Sequence, residues 1–214
     1  MVKVKICGVT RDKDLNAAVR AGADAIGFVV NVEKSPRNLS LSQARDLMGR
    51  LPNTVDSVAV TIFKDLQGVT DICRELTPNF IQLHGMPYRL DNRMIPAIDT
   101  KLIAAVDVRS PDALEQAIVC SRFSDALLVD TYGDNGLGGT GRTHNWGLSR
   151  SIRDVIQPAP MILAGGLTPE NVDCAIRTVK PCAVDVSTGV ELRPGIKNHM
   201  KISEFVRKVK EIEK

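Results

Sequence analysis

Two groups in this sequence are placed to move protons. Cys7 closes the apolar run Val2–Ile6, directly before Gly8. Asp130 closes the run Ala126–Val129 and precedes a stretch carrying Gly133, Gly136, Gly138, Gly139 and Gly141. As a thiolate, Cys7 is a base or a nucleophile; the alternative is a small buried core residue. Lys5 shares its face if the strand is regular, and an electropositive pocket there would lower the thiol pKa from about 8.5. Asp130 is suited to general acid work if burial or a nearby anion raises its pKa, and otherwise to capping loop N–H groups.

Other polar residues cluster at the same kind of position. Arg37, in Ser35-Pro36-Arg37, carries a planar fork that fits a carboxylate, or is a solvated loop residue. Gln82 and His84 are two apart on a strand and so face one side. A strand-end glutamine is better explained by a polar ligand than by packing, while His84 also fits a satisfied core histidine. Asp185 stands near the end of the last apolar run. Glycine-bearing turns occur at Gly139-Thr140-Gly141, Gly165-Gly166 and Ser187-Thr188-Gly189. Such turns expose backbone N–H groups to an anion, and the hydroxyls add donors. There is no Walker lysine pattern, so the anion expected is a small sugar phosphate rather than a nucleoside triphosphate. No histidine and carboxylate cluster suggests a metal, and His199 is expected on the surface.

Short apolar runs alternate with amphipathic stretches to position these groups. Strands are expected at Val2–Ile6, Ala25–Val30, Ser57–Phe63, Phe80–Leu83, Leu102–Val106, Ala126–Val129, Met161–Ala164 and Ala183–Val186. Helices are expected at Asp12–Ala21, from Ser40 through Arg50, at Leu66–Leu76, weakly near Tyr88–Met94, and at Pro111–Cys120, Trp146–Ile156, Thr168–Thr178 and Asn198–Ile212. Strict alternation with continuous apolar strands implies an α/β fold whose parallel sheet is buried on both faces. Eight such units match a single (β/α)8 barrel domain over residues 1–214. A doubly wound open sheet would show its glycine fingerprint after the first strand, whereas here the glycine turns follow the sixth, seventh and eighth. In a barrel those late loops form a phosphate site on the face where the strands end.

The 214 residues carry a net charge of +3, too small and too scattered to argue for nucleic acid. No run of about 18 apolar residues suggests a membrane span, and the N-terminus lacks a signal peptide's apolar core. A cytoplasmic location is expected. Five irregularly spaced cysteines without a CxxC pair indicate neither zinc nor a disulfide framework.

The segments VKICGVT (3–9), GADAIGFVV (22–30), SPR (35–37), IQLHG (81–85), LLVD (127–130), GGTG (138–141), LAGGL (163–167) and DVSTGVE (185–191) together resemble the phosphoribosylanthranilate isomerase family of tryptophan biosynthesis. They span nearly the whole chain in family order. The resemblance implies a (β/α)8 barrel without cofactor and an Amadori rearrangement of N-(5-phosphoribosyl)anthranilate. It implies Cys7 as general base, Asp130 as general acid, Arg37 as holder of the anthranilate carboxylate, and Gln82 and Asp185 as substrate contacts. It implies a phosphate cup of Gly139, Gly141, Gly165, Gly166, Ser187, Thr188 and Gly189. The partner implied is the small-molecule substrate, with neither nucleic acid nor membrane, and a homodimer is compatible with the sequence. Thr188, Thr131 and His144-Asn145-Trp146 depart from the family's usual serine, serine and Phe-Asp-Trp. Another sugar-phosphate barrel, such as a pentulose-phosphate epimerase or an indole-glycerol phosphate synthase relative, and a non-catalytic phosphate-binding barrel are the competing readings.

Overall fold

The computed structural model describes residues 1–86, 100–131 and 144–212. Eight parallel strands build the barrel: β1 (Lys3–Cys7), β2 (Ala25–Val30), β3 (Asp56–Ile62), β4 (Phe80–His84), β5 (Lys101–Asp107), β6 (Ala126–Asp130), β7 (Met161–Leu163) and β8 (Ala183–Val186). Each pairs in parallel with the next, and β1 pairs with both β2 and β8, which closes the sheet on itself. Closure leaves no strand edge among these eight, and the continuous apolar runs follow from burial on both faces.

The period of two divides those runs. Val4, Ile6, Ile26 and Phe28 face outward into a layer shared with the helices. Cys7, Val29, Val58, Val60, Ile103, Ala105, Leu128 and Ile162 face the barrel interior. The first strand is regular, so Lys5 and Cys7 do share the inward face.

The described helices are α1 (Asp12–Ala21), α2 (Leu41–Met48), α3 (Leu66–Leu76), α4 (Ala113–Cys120), α5 (Trp146–Ile156), α6 (Val172–Val179) and α7 (His199–Glu211). Ser40 closes a capping box with Gln43 at the start of α2. The helix expected near Tyr88–Met94 lies outside the described residues. The helix expected from Thr168 begins instead at Val172. The intervening residues make a turn: the Thr168 carbonyl accepts from the N–H groups of Asn171 and Val172, and Asn171 Oδ1 accepts from the Thr168 N–H at 2.8 Å. Asn171 also donates to the Gly166 carbonyl at 2.9 Å, so this turn is spent on bracing the glycine pair.

Three small features were not legible in the pattern. Residues Asn38–Leu39 add a short strand beside the end of β2. After β8, Thr188–Val190 form a 3-10 turn, and Glu191–Arg193 pairs antiparallel with Ile196–Lys197. That hairpin leads into α7, which is anchored to α1 by a fully buried carboxylate. Asp14 accepts from Arg11 at 2.9 and 2.8 Å, from the Lys197 N–H at 3.1 Å and from His199 Nε2 at 2.8 Å. His199 lies on the surface, as expected, and there clasps α7 to α1 through Asp14.

Candidate active site

The strand ends open on a cleft lined by Cys7, Arg37, Gln82, His84, Asp130, Asp185 and Ser187, with Val29, Val32, Val60 and Ile62 as its apolar wall. A second bay adjoins it, lined by Gly165, Gly166, Ser187, Thr188 and Gly189. Asp130, Asp185 and Ser187 border both. The barrel thus brings together nearly every residue that the sequence singled out. Gly139 and Gly141 lie outside the described residues, as does the rest of the stretch 132–143.

Cys7 is buried on the last position of β1. The expected depression of its pKa does not occur. Burial pushes the thiol up, and Lys5 and Lys197 offset that only in part. Pairing limits that offset. Lys5 Nζ donates to Asp185 Oδ1 at 3.0 Å with both side chains buried, so much of its charge is already spent. Burial alone would pull the Lys5 ammonium down, but Asp185 and Cys7 outweigh it and the net direction is up.

Asp130, at the end of β6, is buried and accepts from the Thr131 N–H at 2.6 Å. Burial raises its pKa to about 7 against the pull of that N–H, with Asp185 adding to the rise. Its carboxyl is therefore substantially protonated near neutrality, as a proton donor needs to be. The carboxyl thus takes a loop N–H while its raised pKa lets it keep a proton near neutrality.

Gln82 Nε2 meets His84 Nε2 at 2.8 Å. Burial first, and then Lys5, lower the His84 pKa to about 4, so the ring is neutral at physiological pH. With a neutral ring, the ring nitrogen facing the amide accepts. Gln82 Oε1 is buried and has no hydrogen-bond partner among the described residues. A buried amide oxygen left open at a cleft is a specific invitation to a donor on a ligand.

Arg37 does clamp a carboxylate, but one of the chain's own. Its Nε and Nη2 donate to Glu191 at 2.8 and 2.7 Å, and Nη2 reaches Thr188 Oγ1 at 3.1 Å. Nη1 makes no hydrogen bond among the described residues. Glu191 in turn accepts from Lys197 Nζ at 2.9 Å, and Lys197 also reaches the Ser187 carbonyl at 3.2 Å and Ser187 Oγ at 3.3 Å. Sequence reasoning missed Lys197. The only signal was a lysine in a short loop segment, which ordinarily means a solvated side chain.

The glycine-lined bay depends on close backbone approach. A Cβ on Gly189 would stand 1.9 Å from the Leu167 carbonyl oxygen, so no other residue fits there without moving the turn. Gly165 has φ +86°, and a Cβ there would stand 2.8 Å from Thr131 Oγ1 and 3.0 Å from His144 Nδ1. Those two side chains meet at 2.9 Å, and His144 Nε2 meets Ser149 Oγ at 2.5 Å. His144 thus has hydroxyl partners on both nitrogens. Asn145 keeps its capping role through the Gly147 N–H at 2.8 Å.

Comparison with known proteins gives a consistent picture. The family model described as N-(5'-phosphoribosyl)anthranilate (PRA) isomerase matches residues 4–208. The N-(5'-phosphoribosyl)anthranilate isomerase of Methanothrix thermoacetophila is 44% identical over 210 residues, covering 98% of this chain and 99% of its own. That of Geobacter sulfurreducens is 39% identical over 210 residues, covering 98% and 99%. The crystal structure of the Thermotoga maritima enzyme superposes with a TM-score of 0.85 at 38% identity, over 99% of this chain and all of the other. A phosphoribosyl anthranilate isomerase in complex with reduced 1-(o-carboxyphenylamino)-1-deoxyribulose 5-phosphate matches with a TM-score of 0.83 at 37% identity, over 99% and 100%.

Proposed function

Since this chain belongs to the N-(5'-phosphoribosyl)anthranilate isomerase family, we propose that it performs the family's rearrangement with Asp130 as general acid and Cys7 as general base. The reaction converts the aminoaldose into 1-(2-carboxyphenylamino)-1-deoxyribulose 5-phosphate, a step of tryptophan biosynthesis. The phosphate occupies the bay of Gly165, Gly166, Ser187, Thr188 and Gly189. The anthranilate ring lies against the apolar wall of the larger cleft, with its carboxylate toward the open side of Arg37. The ribose then spans the wall that both bays share, beside Asp130 and Asp185.

In that pose the chemistry balances. Asp130 gives its proton to the ring oxygen as the C1′–O bond breaks, and the nitrogen lone pair closes a C=N bond. The cationic Schiff base acidifies the hydrogen on C2′. Cys7, as thiolate, takes that hydrogen, and the electron pair returns to nitrogen as an enolamine. Tautomerisation gives the ketone. Gln82 Oε1 accepts from a substrate donor. An acid and a base on separate strands, β6 and β1, attend to different atoms of one sugar, and each contributes about 10²–10⁴-fold.

The observation that carries this reading is the meeting of Asp130, its pKa raised by burial, and Cys7 in one cleft beside a glycine-built anion bay. The assay is the loss of anthranilate-type fluorescence from freshly made substrate. Cys7→Ser and Asp130→Asn are each expected to lower turnover by about 10²-fold or more with the fold intact. Near wild-type rates in both folded variants would sink the mechanism.

A further inference from the structure

Besides Asp130, the charged residues around the cleft fall into two largely buried groups. Lys5 and Asp185 form one neutral pair. Arg37, Lys197 and Glu191 form the other, in which two cations share one carboxylate and a positive charge is left over. The second group touches both substrate bays. Arg37 lines the larger one, while Lys197 grips Ser187 at its carbonyl and its hydroxyl, on the turn that lines the smaller. Thr188, the next residue of that turn, is tied to Arg37.

We propose that Lys197 is a positioning residue for the reaction: its buried ammonium fixes the Ser187–Gly189 turn and, through Glu191, the Arg37 fork, so that one ion network sets the distance between the phosphate and carboxylate ends of the site. Its side chain is fully buried, with nothing exposed that water could hydrate. A lysine in such a place is retained only if its three donors are used, and here they reach Glu191, the Ser187 carbonyl and the Ser187 hydroxyl. Glu191 is held below the usual carboxylate range: burial alone would raise it, but Arg37 and Lys197 outweigh that. Burial pulls the Lys197 pKa below its ordinary value, opposed in part by Glu191 and Cys7, and the contact with Glu191 at 2.9 Å is what holds its charge in place. The network's excess positive charge also acts on Cys7, where Lys197 and Lys5 favour the thiolate while burial and Asp185 oppose it. Arg37, with its own charge, is coupled to Cys7 in the same sense.

This inference rests on the isomerase reading, and the test separates the two. Lys197→Met removes the charge and the donors, yet leaves Glu191 paired with Arg37, so no buried anion is stranded. Lys197→Gln keeps an amide donor without charge. Two readouts apply to each: KM and kcat for phosphoribosylanthranilate, and the pH dependence of Cys7 alkylation by iodoacetamide, localised by peptide mass spectrometry. The methionine variant is expected to raise KM by roughly tenfold or more, the scale of a lost charged hydrogen bond, and to move the alkylation midpoint to higher pH. The glutamine variant recovers part of KM but keeps the shifted midpoint. A merely structural lysine would change melting behaviour without moving the thiol. Wild-type KM together with a wild-type alkylation midpoint in either folded variant overturns the proposal, and if the methionine variant does not fold, the glutamine variant decides alone. Failure of the isomerase reading would look different: no turnover by the wild-type protein, with the alkylation shift still measurable.

Discussion

Replacing Asp130 by asparagine should make the protein more stable at alkaline pH while it removes the proton donor. The magnitude follows from burial. An aspartate of ordinary pKa, 3.8, stands near 7 in the folded chain. The sign is that of a carboxylate raised on folding. The unfolded chain ionises first, so the wild type loses stability as pH rises from the unfolded value to the folded one. The full loss, about three pKa units, is on the order of 4 kcal/mol. About one unit of it has already been lost at pH ~5, so the change left between pH ~5 and pH ~8 is about 3 kcal/mol. Asparagine does not titrate, and its Oδ1 can still accept the Thr131 N–H that Asp130 holds at 2.6 Å. The stability of the variant minus that of the wild type should therefore grow by about 3 kcal/mol over that interval. Urea titrations at the two pH values, followed by the single Trp146, measure it directly. Turnover in the same preparations should be lower by about 10²-fold or more. A stability difference that is flat with pH would refute the claim that a buried, protonated Asp130 is the acid.

Three further outcomes follow from the same geometry. In the free enzyme the base has the higher pKa, since burial holds Cys7 above its ordinary value, and the acid titrates at about 7. The productive form is then a minor protonation state, and kcat/KM should be bell-shaped with its rising limb near 7; a rising limb that persists unchanged in the Asp130→Asn variant would contradict this. Lys5→Met strands Asp185 in the interior and should cost about 3–5 kcal/mol, most of it recovered in the Lys5→Met, Asp185→Asn double variant; a single variant as stable as the wild type would show that the ion pair is not needed. Gly189→Ala drives a methyl to 1.9 Å from the Leu167 carbonyl, so the turn must move. The expected result is weaker binding of inorganic phosphate at a stability cost of about 1–3 kcal/mol, and unchanged phosphate affinity would remove this turn from the phosphate site.

The barrel, and which side chains gather at the open ends of its strands, were legible in the sequence. Strand ranges came out within about two residues, because a strand buried on both faces writes itself as an unbroken apolar run. The first strand had to place Lys5 and Cys7 together, and the structure does so. The start of α6 was misread, since Thr168-Pro169 is an ordinary helix opening and nothing local reveals that Asn171 is engaged on Gly166.

What the sequence by itself determined was the alternation of strands and helices, and through it which residues stand at the open end of the barrel. Tertiary structure decided their electrical state. Lys5 is 180 residues from Asp185, and Arg37 is 154 from Glu191. No local pattern says that these partners meet. Once they do, Lys5 is largely neutralised, Cys7 rises instead of falling, Arg37 spends two of its nitrogens on the chain's own carboxylate, and a lysine that looks like a surface residue becomes the buried brace of Ser187. The physical reason is that burial and pairing, which fix a pKa, are properties of the space around a charge, and that space is assembled only when the barrel closes.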